Sequence, residues 1–188
     1  MSETLTLRGI KPRKAIRTAA TIIAGVALIT LCAKLRIPFW PVPLTLYTLA
    51  VMGIAVATGP RMATATFLAF LAVGAAGLPV FSGSPERGIG LAYMMGPTGG
   101  YLLGYLFASW LTGWLAEGRQ MFGRVMAMLA GLAITYAAGL PWLGFYIPGK
   151  DVIALGFTPF ILGDLINIAM VAVGSAMIPA RLLGKIGR

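Results

Sequence analysis

Residues 159–183 read PFILGDLINIAMVAVGSAMIPARLL and decide the fold of this chain. About 20 apolar residues are needed to cross the hydrocarbon core of a bilayer, and this run is long enough. It contains a single acidic residue, Asp164. Because a carboxylate at membrane depth is costly, it marks a candidate functional site. The run therefore predicts a spanning helix with a functional aspartate near its outer end.

The composition places the rest of the chain in the same environment. Of its 188 residues, 59% are hydrophobic and 11% are charged, and the mean hydropathy is +0.89. Soluble domains carry about 25% charged residues, so most of these side chains must face lipid or a protein interior. We predict an all-α membrane protein that forms a single integral membrane domain over residues 1–188.

Turn signals divide the chain into six predicted transmembrane helices. Gly59-Pro60-Arg61 forms a tight turn, and Pro148-Gly149-Lys150-Asp151 separates the last two apolar segments. The predicted spans are about 15–36, 43–59, 62–79, 98–117, 122–145 and 159–183.

Basic residues give the predicted orientation, since cytoplasmic loops carry the excess of Lys and Arg. One set of loops and tails holds Arg8, Lys11, Arg13, Lys14, Arg17, Arg61, Arg119, Arg124, Arg181, Lys185 and Arg188, whereas the opposite set holds Lys34, Arg36, Arg87 and Lys150. This asymmetry predicts that both termini are cytoplasmic in a multi-pass membrane protein. It also accounts for the net charge of +10 without a nucleic-acid partner.

Catalysis is not expected. The chain has no histidine and one cysteine, so His-based acid–base chemistry and His metal ligation are excluded. A single membrane carboxylate provides no base–nucleophile pair. We expect no catalytic residues, no metal and no cofactor. A structural or assembly protein remains an alternative, but it leaves Asp164 unexplained.

The predicted external loop at residues 80–97 reads VFSGSPERGIGLAYMMGP. Long loops in compact folds are often functional, and the apolar and aromatic residues between Ile89 and Met95 favour packing over disorder. We predict a lid over an outward-facing cavity.

Three further patterns point to contacts with a ligand or a partner. Asn167 follows Asp164 at i+3, so both polar groups share one helix face; capping of a helix start or pairing with Lys150 would be the structural alternative for Asp164. The stretch 96–101, GPTGGY, opens a span with glycines that fit an oxygen ligand or tight helix packing. Tyr47 lies at the outer end of a span, as a membrane anchor or a ligand contact.

Four motifs, in order, resemble the BioY family, the biotin-specific S components of energy-coupling-factor (ECF) vitamin transporters. They read PVPLTLYTLAVM (41–52), GAAGLPVFSG (74–83), MGPTGGYLLGY (95–105) and PFILGDLIN (159–167). The resemblance implies six helices with both termini inside and biotin captured from outside. It also implies assembly, within membrane lipid, with a transmembrane coupling subunit and two cytoplasmic ATPases.

The resemblance also implies roles for particular residues. Asp164 would accept hydrogen bonds from the ureido N–H groups of biotin. Small residues one turn apart on the first helix would form the surface that docks the coupling subunit, although such spacing fits internal packing equally well; they are Ala15, Ala19, Ala20 and Ala24. The predicted ligand-binding residues are Asp164, Asn167, Arg87, Tyr47, Ser82, Gly99, Gly100 and Tyr101.

Two positions depart from the family pattern. Tyr47 stands where the family has Gln, and Asn167 stands where it has a Lys that would meet the valerate carboxylate of biotin. Arg87 is the first candidate to replace that cation and Lys150 the second. Alternatively, the pocket fits another small vitamin-like ligand with an altered, uncharged tail.

Overall fold

The computed structural model describes residues 12–37 and 44–177. Within these ranges the elements are, in chain order, α1 (Pro12–Lys34), β1 (Arg36–Ile37), β2 (Leu44–Thr45), α2 (Tyr47–Thr58), α3 (Pro60–Ala75), α4 (Gly90–Met94), α5 (Gly99–Ala116), α6 (Met121–Tyr146), α7 (Val152–Gly156) and α8 (Thr158–Ala176). The two short strands pair antiparallel, with Arg36 opposite Thr45. The predicted all-α class is confirmed for the described residues, because the strands contribute only two residues each.

Each of the six predicted spans overlaps one of the six longer helices in the described part of the chain. Among the described residues, three stretches are long and apolar enough to cross a membrane by length and composition: Ala15–Lys34, Met121–Tyr146 and Val152–Ala176, where the last joins α7 to α8. The predicted end of the last span, at residue 183, lies outside the described residues.

Helices α2 and α3 are shorter than predicted. α2 has 12 residues and rises about 18 Å, whereas the hydrocarbon core is ~30 Å thick. α2 is shortened at its start, where the strand β2 takes Leu44 and Thr45 before the helix begins. Its end agrees with the predicted turn, because Gly59, with φ of 79°, separates α2 from Pro60, the first residue of α3. α3 is shortened at its end, which precedes Gly77, whose φ is 96°.

Four helices surround the interior of the protein. α2 packs against both α5 and α8, and α6 packs against both α5 and α8, with the most extensive contact between α5 and α6. α1 lies outside this group and packs on α2 and α3. The interior between α2, α5, α6 and α8 is therefore where polar side chains from different helices meet.

At the predicted cytoplasmic end, Arg124 ties α6 to α8. Its side chain is buried, with Nε donating to the carbonyl oxygen of Arg119 at 2.9 Å and Nη1 donating to that of Ser175 at 2.6 Å. The last carbonyl groups of a helix lack partners within the helix and favour a cation. Arg124 therefore completes the end of α8.

Two short helices that the sequence analysis did not predict lie in the predicted external loops. α4 occupies part of the loop at 80–97, and α7 precedes α8. The Asp151 carboxylate caps α7 by accepting hydrogen bonds from the N–H groups of Ile153 at 2.9 Å and Ala154 at 3.0 Å. Both short helices lie beside the cavity described next.

Candidate ligand-binding site

A cavity of about 340 Å³ opens between the helices and the predicted external loops. This volume falls in the ~300–1,000 Å³ range of small-molecule sites. Its aromatic lining consists of Tyr47, Phe81, Tyr93, Tyr101, Tyr105, Tyr136 and Phe160. Its polar and charged lining consists of Thr45, Ser82, Arg87, Thr98, Thr135 and Asp164, and its remaining lining of Pro97, Leu102, Leu143, Leu155 and Gly156. A mostly apolar wall with a few polar groups is typical of sites for small organic ligands.

The carboxylate of Asp164 is held by hydroxyl groups from two other helices. Thr48 Oγ1 on α2 donates to Oδ1 at 2.6 Å, and the Tyr136 hydroxyl on α6 donates to Oδ2 at 2.5 Å. Thr48 Oγ1 also lies 2.5 Å from the Tyr105 hydroxyl on α5. Because a threonine hydroxyl has one proton, Tyr105 must donate to Thr48. Hydrogen bonds between side chains thus link all four interior helices to one carboxylate.

This arrangement leaves Asp164 able to bind a ligand. An ionised carboxylate has about four acceptor positions, and two are used here. Asp164 lines the cavity, so its free acceptor positions suit a ligand with N–H donors. Asp164 therefore makes neither of the contacts considered as structural alternatives, a helix cap or an ion pair with Lys150.

Tyr47 places a second polar group beside the cavity. Its hydroxyl is buried and has no hydrogen-bond partner among the described residues. Its ring is fixed against Tyr105, with ring centres 4.8 Å apart, and against Phe70 and Phe67. An unpaired buried hydroxyl costs about 1–3 kcal/mol. Tyr47 lines the cavity, and a ligand that reaches its hydroxyl would recover that cost by accepting a hydrogen bond.

The connection between α3 and α4, residues 76–89, forms one wall of the cavity and is called the wall loop below. Phe81, Ser82 and Arg87 of this loop line the cavity. The Ser82 carbonyl oxygen accepts a hydrogen bond from the Tyr93 hydroxyl at 2.6 Å. Among the described lining residues, Arg87 is the basic one, whereas Lys150 lies outside the lining.

Tyr101 links the cavity to α7. Its ring lines the cavity and packs edge-on against Tyr136, with ring centres 6.2 Å apart. Its hydroxyl donates to the Gly156 carbonyl oxygen at 2.9 Å. The ring of Tyr101 is thus available to contact a ligand, while its hydroxyl donates the hydrogen bond that attaches α7.

Three of the predicted binding residues lie outside the cavity lining. Asn167 is 1% exposed and donates from Nδ2 to the Thr45 carbonyl oxygen at 2.9 Å. Gly99 and Gly100 pack against neighbouring backbone and Trp142: a Cβ at Gly99 would lie 2.0 Å from the Met94 carbonyl oxygen. Tight helix packing therefore accounts for the two glycines. Asn167 supports the wall of the cavity through its hydrogen bond to Thr45.

The glycine packing also positions Trp142. A Cβ at Gly100 would lie 2.3 Å from Trp142 Cβ, so the indole fits only against a glycine. Its Nε1 donates to the Gly96 carbonyl oxygen at 2.9 Å. Trp142 thus joins α6 to the start of α5, immediately beside the lining residues Pro97 and Thr98.

The sequence analysis missed the residues that hold Asp164. Thr48, Tyr105 and Tyr136 lie within the predicted apolar spans, and the sequence alone assigns them no role. A signal was present for Tyr136, which lies in the middle of a span, whereas membrane-anchoring tyrosines lie at its ends. The same signal applies to Tyr105, which also lies inside a predicted span, whereas no signal in the sequence distinguishes Thr48 from a packing residue.

Comparison with known proteins places this arrangement in a family. A sequence model of the BioY family matches residues 2–183. The chain belongs to the BioY family. A biotin transporter BioY from Thermotoga maritima is 38% identical over 155 residues, which cover 80% of this chain and 90% of that protein. A probable biotin transporter BioY from Pyrococcus horikoshii is 32% identical over 160 residues, which cover 85% and 92%.

A solved structure has the same fold as this BioY-family chain. It is the crystal structure of the S-component for biotin from an ECF-type ABC transporter, 26% identical, with a TM-score of 0.75 over 90% of this chain and 94% of that one. The resemblance carried by the four sequence motifs is thereby confirmed. The protein is a membrane protein of a transporter family.

Proposed function

We propose that this protein is the biotin-binding S component of an ECF-type transporter and takes up biotin without chemical change. The observation that carries the proposal is the Asp164 carboxylate, held by Thr48 and Tyr136 and facing a cavity of about 340 Å³. The names of the relatives and of the matching structure support biotin as the ligand.

The chemistry of the cavity fits the ureido end of biotin. Asp164 accepts from its N–H groups, and the unpaired Tyr47 hydroxyl donates to its carbonyl oxygen. The aromatic residues of the lining pack against the fused rings, which are largely apolar. Asn167, Gly99 and Gly100 support the wall and stay at most indirect contributors to binding.

Arg87 is the proposed partner of the valerate carboxylate. It lies in the wall loop and lines the cavity. A guanidinium can bind a carboxylate through two parallel hydrogen bonds. Arg87 thereby replaces the Lys that the family has at position 167, where this chain has a buried Asn.

The proposal includes six membrane crossings with both termini in the cytoplasm, in a multi-pass domain of the bacterial inner membrane. The distribution of Lys and Arg supports the orientation. α2 and α3 are short for full crossings, but they are packed against other helices, where backbone away from lipid is tolerated.

Transport also requires partners, since the chain has no ATP-binding motif. We infer a transmembrane coupling subunit and two cytoplasmic ATPases. Support comes from α1, where the predicted docking residues Ala15, Ala19, Ala20 and Ala24 are all exposed. Exposure favours docking over the internal packing that the spacing alone left open.

A second candidate function is an S component for a vitamin-like ligand with an uncharged tail. The observation that favours it is Asn167, which is uncharged, buried and outside the cavity lining. This candidate keeps the roles of Asp164 and Tyr47 and removes that of Arg87.

Equilibrium binding to the purified protein tests the proposal. We expect labelled biotin to bind, with competition by unlabelled biotin and none by an unrelated vitamin such as thiamine. Failure to bind biotin under conditions in which the protein remains folded would contradict the assignment.

Arg87→Ala separates the two candidates. If Arg87 pairs with the valerate, the variant should bind biotin roughly ten- to a hundredfold more weakly, because charge-assisted hydrogen bonds contribute about 1.5–3 kcal/mol. Its affinity for biotin methyl ester should change little, because the ester has no charge to pair. Lys150→Ala, which removes a cation outside the lining, is the matched control. Equal losses for acid and ester would assign Arg87 to the loop structure alone.

A further inference from the structure

Lys34 connects α1 to the wall loop. It is the last residue of α1, and its ammonium group donates to both the carbonyl oxygen and the hydroxyl oxygen of Ser84, the latter at 3.0 Å. Ser84 is 4% exposed, and its own hydroxyl donates to the Phe81 carbonyl oxygen at 2.7 Å. One side chain of α1 thus reaches a buried residue two positions from Ser82, which lines the cavity.

The segment that Lys34 holds is the part of the wall loop that lines the cavity. Phe81 precedes Ser84 by three residues, and Arg87 follows it by three. The backbone between them is folded locally, with the Arg87 N–H donating to the Gly83 carbonyl oxygen at 2.8 Å. A displacement of Ser84 therefore moves both lining residues.

On its inner side the same segment is anchored by an aromatic contact. The Phe81 ring stacks on Tyr93, with ring centres 4.7 Å apart, and occupies the space next to Gly74, where a Cβ would lie 2.1 Å from the ring. This contact is apolar and holds Phe81. The polar attachment of the wall loop at Ser84 comes from Lys34, on a helix that packs outside the cavity.

We propose that Lys34 is a positioning residue that fastens the wall loop to α1 and so slows the release of ligand from the cavity. A bond from an ammonium group to buried acceptors is stronger than a neutral hydrogen bond. Because the fastening point lies on α1, a displacement of α1 releases the wall. The inference extends the proposed function by giving the α1 helix, with its exposed alanines, a mechanical connection to the binding site.

The first test does not depend on any ligand. In Lys34→Met, which keeps an unbranched stem and removes the donors, amide hydrogen exchange in residues 81–88 should become about tenfold faster, as expected for the loss of a charged hydrogen bond. Exchange in α6 should not change. Lys34→Arg should restore the slow exchange, and Lys150→Met, with the same loss of charge on an exposed residue, should have no effect.

The second test measures ligand kinetics on the same variants. Labelled biotin should dissociate about tenfold faster from Lys34→Met than from the unaltered protein, with a smaller change in the association rate, because a loosened wall affects mainly escape. Lys34→Arg should restore slow dissociation. Should Lys34→Met not fold, Ser84→Ala removes one of the two acceptors and should show the same changes to a smaller degree.

The outcomes distinguish this inference from the assignment of biotin. Unchanged exchange in residues 81–88 would overturn it, as would faster exchange with unchanged dissociation. If the unaltered protein binds no biotin, the proposed function fails, and the exchange experiment still decides whether Lys34 holds the loop.

Discussion

At the scale of single residues, the main feature of this protein is the hydrogen bonding around the Asp164 carboxylate. Asp164 accepts hydrogen bonds from Thr48 and Tyr136, and Tyr105 donates a hydrogen bond to Thr48 in turn. These donors fix the orientation of the carboxylate before a ligand arrives. A preoriented acceptor loses less entropy on binding than a mobile one, which favours high affinity.

Replacing Asp164 with Asn should weaken biotin binding by roughly ten- to a hundredfold. The change keeps the size of the side chain but replaces a charged acceptor with a neutral amide, and hydrogen bonds to charged groups contribute about 1.5–3 kcal/mol. The measurement is equilibrium binding of labelled biotin, with thermal unfolding to verify the fold.

Asp151→Asn is the matched control, because Asp151 caps α7 outside the cavity lining and asparagine caps helices equally well. It should bind biotin normally. An unaltered dissociation constant in Asp164→Asn would assign the aspartate to structure alone.

Part of this site could be predicted from the sequence and part could not. Asp164 can be identified from the sequence because acidic residues are rare inside apolar spans. An acidic side chain there is costly in whichever direction it points. Asn167 is equally polar and one turn away, yet its amide is directed at the Thr45 carbonyl oxygen. Side-chain direction depends on helix packing, which a single sequence does not contain.

At the scale of the helices, α1 exposes a face of small residues. It packs on α2 and α3 along one side and exposes Ala15, Ala19, Ala20 and Ala24 on the other. Small residues allow a second helix to approach closely in a membrane. This face is therefore suited to a helical partner.

Ala20→Trp should reduce both uptake in cells and co-purification of a coupling subunit by about tenfold or more, since a bulky side chain in a close-packed interface costs ~1–3 kcal/mol. Biotin binding to the isolated protein should be unchanged, because α1 contributes no residue to the described cavity lining.

Leu103→Trp, on an exposed position of α5, provides the control for adding a large ring to the surface. It should leave uptake intact. Loss of uptake in Leu103→Trp to the same degree, or none in Ala20→Trp, would place the docking surface elsewhere.

The elements themselves were largely predictable, because apolar length and Pro–Gly turns determine where long helices lie. α5 and α6 begin and end within one residue of prediction. α2 is shorter because β2 pairs with β1 before the helix begins, and a pairing of two residues leaves no periodic pattern in sequence. α3 ends before its predicted boundary, ahead of Gly77, whose φ is 96°. The short helices α4 and α7 depend on contacts with the rest of the molecule and were not predicted.

For the whole molecule, the arrangement of cations implies an orientation that labelling can test. A cysteine at Ile89, which is 46% exposed in the wall loop, should react with an impermeant thiol reagent added outside cells. A cysteine at Gln120, exposed between α5 and α6, should react only after the membrane is opened. Ser84 would be a poor position for this purpose, since it is buried.

The natural Cys32 is buried and should contribute little background. A cysteine at Lys150, which belongs to the same predicted external set, should behave like the one at Ile89. Reaction of the Ile89 and Gln120 cysteines from the same side would contradict the six-span topology.

The position of Trp142 makes its fluorescence a candidate reporter of ligand binding. Its indole bonds to Gly96, next to two lining residues, whereas Trp110 and Trp114 stack on each other at the exposed surface of α5. Arrival of a ligand should alter the emission of Trp142 and leave that of the stacked pair constant. The fourth tryptophan, Trp40, lies outside the described residues. Occupancy could be followed by fluorescence without a label, and Trp142→Phe should remove the contribution of this residue to the response.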